Sequence, residues 1–129
     1  MTDRHPISTS DAPGAAGPYS QAIRAGDLVF TAGQLGTDPA TGEMADEVAA
    51  QAERALRNVA AILDAAGSGM DQLVKVTVLL ADIGDWPAVN EVYARLVPEP
   101  FPARSAFAVR DLPKGAKIEI EAVAVARVG

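Results

Sequence analysis

The chain of 129 residues contains no cysteine, which excludes disulfides, thiolate catalysis and cysteine-ligated metals together. Histidine occurs once, at position 5. With no second histidine to act beside it, His5 is read as a solvated residue and not as a general base. Aromatic residues make up only 5% of the chain, so a core has to be built from Val, Ile, Leu and Ala. Basic residues number 11 against 17 acidic ones, for a formal charge of −6. Such a field repels phosphate backbones and makes nucleic acid a poor partner. No apolar run approaches the length that crosses a bilayer. Residues 1–12 are too polar to form an export signal. Together with the lack of cysteine, this leads to the expectation of a cytoplasmic protein.

The rest is ordinary for a folded domain, with 49% hydrophobic and 22% charged residues. The length suits one domain over residues 1–129, with 1–12 as a loose lead-in. A loop dense in Pro and Gly follows, from Ala12 to Ala22. Residues 21–25 and 28–32 read as two short strands joined by Gly26-Asp27, a tight-hairpin connection. Gly33 and Gly36 lie in the next turn-rich loop, where they serve the turn or let the backbone approach a ligand. Their spacing matches neither a P-loop nor a dinucleotide fingerprint.

Over residues 46–66 the apolar positions Val48, Ala52, Ala55, Leu56, Val59, Ile62, Leu63 and Ala66 recur at intervals of three and four, which predicts an amphipathic helix. Gly67 is suited to its end. Residues 73–80 alternate as a β-branched strand. Asp85 and Pro87 predict the start of a second helix over 86–97, with Val89, Val92, Tyr93 and Leu96 on its buried side and Asn90 off that stripe. The order is hairpin, helix, strand, helix, hairpin, an α+β sandwich with two helices on one face of a small mixed sheet. The opposite face keeps Val and Leu positions, which predicts that copies of the chain cover it in a closed homo-oligomer.

The chain is organised around its last quarter. A proline-rich segment delivers Arg104 to the start of one strand-like run, and a second run follows the Leu112-Pro113-Lys114-Gly115 connector. In the second run Ile118, Ile120, Ala122, Ala124 and Ala126 face one way, and Glu119, Glu121, Val123, Val125 and Arg127 the other. If the runs pair as a hairpin, Arg104 lies near Glu119. Two readings then fit: a structural Arg–Glu pair, or a guanidinium fork and a half-buried carboxylate that receive a small anionic substrate and a water.

Six motifs carry a resemblance over about residues 12–127. They are Gly17-Pro18-Tyr19-Ser20-Gln21-Ala22, Thr31-Ala32-Gly33-Gln34, Asp38-Pro39-x-Thr41-Gly42, Pro102-Ala103-Arg104-Ser105, Leu112-Pro113-Lys114-Gly115 and Ile118-Glu119-Ile120-Glu121-Ala122. They resemble the RidA (YjgF) family of reactive enamine/imine deaminases, the C-terminal motifs being the most specific. The resemblance implies a chorismate-mutase-like α+β fold and a homotrimer with its sites between subunits. It also implies hydrolysis of 2-imino acids such as 2-iminobutanoate and 2-iminopropanoate, a metabolite damage-control activity that needs no cofactor and no metal. By the same resemblance, Arg104 clamps the substrate carboxylate and Glu119 activates water. Tyr19 lines the cleft, Asn90 lies near it, and the backbone at Gly33 and Ala106 contacts substrate.

Two departures bear on substrate preference. Ala32 stands where some members carry Ser, and Ala106 where some carry Cys. Two other functions compete with the deaminase: a small-metabolite binding or regulatory module using the same cleft, and the endoribonuclease or translation-inhibitor activity attached to some relatives. The intact Arg104 and Glu119 favour the enzyme over the module. The acidic charge and the lack of a histidine pair weigh against the nuclease.

Overall fold

Two helices pack on one face of a six-stranded sheet in the computed structural model, which describes residues 3–127. The strands are β1 (Arg4–Ile7), β2 (Ala22–Ala25), β3 (Leu28–Thr31), β4 (Leu73–Leu80), β5 (Ala103–Ala108) and β6 (Ile118–Val125), and the helices are α1 (Val48–Ala65) and α2 (Trp86–Leu96). Their order across the sheet is β1-β2-β3-β6-β4-β5. All neighbours are antiparallel except β4 and β5, which run parallel.

The expected β2–β3 hairpin forms, with Ala25 opposite Leu28 and Gly26 at φ +59°, where a side chain would be strained. Helix α1 buries Ala52, Ala55, Leu56, Val59, Ile62 and Leu63 against Val76, Val78 and Leu80 of β4 and Ile118, Ile120, Ala122 and Ala124 of β6, in one core. Those strand residues alternate with exposed or half-buried ones, as a sheet covered on one face requires.

Three expectations are corrected. Within the stretch expected to be a loose lead-in, Arg4–Ile7 forms β1 along the edge of β2. Asp85 makes no capping bond to α2; Asp82 instead accepts the N–H of Gly84 at 2.8 Å in the turn that precedes the helix. The last two strands do not form a hairpin, because β4 lies between β5 and β6. The reason is topological: β4, α2 and β5 form a strand–helix–strand crossover, which returns the chain parallel to its starting strand. Strand β6 is left to fill the centre between β3 and β4.

The face away from the helices carries Leu28 and Phe30 of β3 and Phe107 of β5, exposed by 38%, 44% and 48%. These are large apolar side chains that a sheet facing water would not normally present together.

Candidate active site

Arg104 and Glu119, the two residues expected to act together, leave the sheet on opposite faces. Arg104 is in register with Val76, and Val76 with Ala122, all on the helix side. Glu119 is in register with Leu79, on the other side. The sequence expectation that the pair meets in a hairpin is therefore wrong within one chain, and so is a direct Arg104–Glu119 ion pair. Among the described residues neither side chain has an oppositely charged partner within 4 Å.

Glu119 stands at one cavity, of about 490 Å³, lined also by Tyr19, Ala32, Gly33, Gln34 and Lys114. The sequence builds its walls by hydrogen bonds. Gln34 exchanges backbone bonds with Ile120, its N–H to Ile120 O at 2.8 Å and the reverse at 3.0 Å, which lays the loop after β3 across the start of β6. Gly33 then lies directly against Glu119: a Cβ built there would fall 2.7 Å from the Glu119 carboxyl carbon. Only glycine lets the carboxylate occupy that place. Gly33 thus serves close approach, and the approach is to Glu119.

Tyr19 lies on the proline-rich loop, half exposed, its hydroxyl accepting the Ala16 N–H at 3.2 Å. The buried Gln21 holds that loop. Its amide donates to Pro13 O at 2.8 Å and Thr9 O at 3.1 Å and accepts from Thr9 N–H at 2.7 Å. Asn58, wholly buried on α1, donates to Leu35 O at 3.1 Å and Thr37 O at 2.9 Å, fixing the other wall. Burial raises the Glu119 carboxyl above its ordinary pKa, and the nearby Glu121 charge pushes the same way.

Arg104 stands at a second cavity, of about 360 Å³, with Asn90, Tyr93, Phe101 and Pro102. One terminal nitrogen donates to Asn90 Oδ1 at 2.9 Å. The guanidinium carbon lies 4.5 Å from the Trp86 ring centre and 4.6 Å from that of Tyr93. Ala106 follows two residues along β5, opposite Val78 and half-buried against the core, so it shares the Arg104 face and is not at the Glu119 cavity. Asn90 therefore falls with Arg104, and Tyr19 and Gly33 with Glu119.

Sequence reasoning missed Trp86, Gln21 and Asn58. Trp86 had a readable signal: it precedes Asn90 by four residues and Tyr93 by seven, one stripe of a helix. Gln21 and Asn58 act through loops distant in sequence and left none. Two further hollows, one over Thr41 and Arg54 and one beside His5 and Arg24, contain none of these residues.

Fold and site together define a small α+β protein with an arginine held by uncharged side chains on one sheet face and a half-buried carboxylate on the other. Residues 9–126 match the family model described as Endoribonuclease L-PSP. The RutC family protein y4sK of Sinorhizobium fredii is 57% identical over 119 residues, 92% of this chain and 94% of that one. A Homo sapiens protein named 2-iminobutanoate/2-iminopropanoate deaminase is 50% identical over 123 residues, 95% of this chain and 90% of that one. The crystal structure of the E. coli YjgF gene product superposes with a TM-score of 0.92 at 45% identity, covering 95% of this chain and 99% of that one. The chain belongs to the RidA/YjgF family.

Proposed function

We propose that this chain is a hydrolytic deaminase of small 2-imino acids, such as 2-iminobutanoate and 2-iminopropanoate, acting as a homotrimer with its sites between subunits. The observation that carries this reading is that Arg104 and Glu119, among the described residues, each stand without an oppositely charged partner within 4 Å, on opposite faces of one sheet. In the proposed trimer a second copy covers the apolar open face and supplies its Arg104, from the edge strand β5, to the first copy's Glu119. The names of the relatives support the same chemistry.

The substrate carboxylate takes paired hydrogen bonds from the Arg104 guanidinium, one terminal nitrogen of which already donates to Asn90. The protonated imine is already electrophilic, so the protein has to orient it and supply one activated water. Glu119 accepts a proton as the water oxygen bonds to the imine carbon, giving a tetrahedral amino alcohol. It returns that proton to the nitrogen, the C–N bond breaks, and a hydroxyl proton leaves with the ammonia as ammonium. The products are a 2-oxo acid and ammonium, with no change of oxidation state. A carboxyl whose pKa is raised holds the proton better between the two transfers than an ordinary one. The nuclease named in the family description gains nothing from a −6 chain with one histidine.

The test generates 2-iminobutanoate with a threonine dehydratase in the presence of semicarbazide. Wild type is expected to outcompete the trap and Arg104→Ala to lose that ability. If wild type leaves semicarbazone formation unchanged, the deaminase reading is wrong.

A further inference from the structure

We propose that Trp86 and Tyr93 form an aromatic clamp that aims the Arg104 guanidinium at the substrate carboxylate, both being positioning residues for the reaction above. The inference rests on the deaminase reading for its kinetics and on geometry for the clamp itself. An arginine on an edge strand is usually held by a carboxylate, but that partner would neutralise the charge an anionic substrate needs. Here α2 supplies only uncharged partners. Trp86, Asn90 and Tyr93 follow at intervals of four and three, so they present one stripe toward β5.

The two rings lie at 4.5 and 4.6 Å from the guanidinium carbon, inside cation–π range, and attract the cation without cancelling it. The Asn90 oxygen at 2.9 Å fixes its rotation. Among the described residues the buried Tyr93 hydroxyl has no partner in good hydrogen-bond geometry, and the group acting on it is the Arg104 side chain; a poorly satisfied buried hydroxyl costs stability that Phe would not. Burial raises its pKa, against the charge and hydrogen bonding of Arg104, so the ring stays neutral.

The expected result is a KM effect. Trp86→Leu and Tyr93→Leu each raise KM for 2-iminobutanoate about five- to thirtyfold, one cation–π contact's worth, with kcat far less affected. Tyr93→Phe recovers most of what Tyr93→Leu loses. Trp86 is the only tryptophan in the chain, so its emission reads the guanidinium directly. Titration with 2-oxobutanoate, the product carboxylate, shifts that emission in wild type and leaves it still in Arg104→Ala.

Ring variants that lower kcat with KM unmoved overturn the clamp, as does a Tyr93→Phe as damaging as Tyr93→Leu. An emission shift that persists in Arg104→Ala does the same. Should Tyr93→Leu not fold, Trp86→Leu at its half-buried site decides. Emission that titrates in a wild type without imine hydrolysis keeps the clamp and removes the deaminase; hydrolysis with inert ring variants does the reverse.

Discussion

Gly33 and Glu119 compete for one space: the carboxylate rests where a side chain on residue 33 would be, 2.7 Å from the position of a Cβ. The neighbour that has to yield is the end of a flexible side chain and not backbone, so Gly33→Ala displaces Glu119 before it disturbs the fold. Misplacing a reacting group by about 1 Å costs roughly a hundredfold in rate. The expected outcome is a loss of imine hydrolysis of that order, with a melting temperature close to wild type. A variant that melts far lower, or keeps its rate, would contradict this relationship.

In the proposed mechanism the working form of Glu119 is the carboxylate, and its raised pKa predicts that kcat/KM declines on acidification at a higher pH than for an ordinary glutamate. Stability runs the opposite way. The folded chain holds this proton more tightly than the unfolded chain, so Glu119 adds stability below the unfolded pKa, and the addition is lost as pH rises through the folded one. Glu119→Gln is therefore expected to abolish turnover at neutral pH while unfolding at an equal or higher urea concentration. Denaturation curves at neutral and acidic pH, alongside rates, check both signs.

Asn58 holds one wall of the Glu119 cavity. Replacing it with Ala leaves the Leu35 and Thr37 carbonyls without their buried donor, at about 2–3 kcal/mol. Urea unfolding should show that loss, and rates should fall as the loop beside Gly33 loosens. Unaltered stability would mean that water replaces the amide.

The open face is tested by Phe30→Asp. Wild type should sediment as a trimer, and the variant should shift toward monomer and lose hydrolysis, since the exposed rings of Phe30 and Phe107 would bury against a neighbour. A wild type that is monomeric and still active would remove the site between subunits.

Much of the fold was legible where burial is one-sided. Strand β4 falls on residues 73–80 as expected because Val76, Val78 and Leu80 face the core and their neighbours do not. The α1 stripe and the Ile118–Ala124 alternation are equally local. Strand β1 was illegible because Arg4, His5 and Pro6 are exposed and leave no period to read. The Arg104–Glu119 hairpin failed for another reason. Leu112 to Gly115 does contain a turn, at Pro113–Gly115, yet a turn does not decide which strands pair. The strand–helix–strand order before it held that information. Of the site residues, the grouping of Tyr19 and Gly33 with Glu119, and of Asn90 and Ala106 with Arg104, depends on pairing and was beyond local pattern.

The holder of Arg104 consists of an indole, a phenol and an amide, none of which changes charge near neutral pH. In the proposed reaction, affinity for the anion is then expected to stay level across the physiological range, with the proton-dependent events left to the carboxylate on the far face. Across a pH series this separates into a level line for KM and a sloping one for kcat, so that acid stress would slow the enzyme without emptying it of substrate.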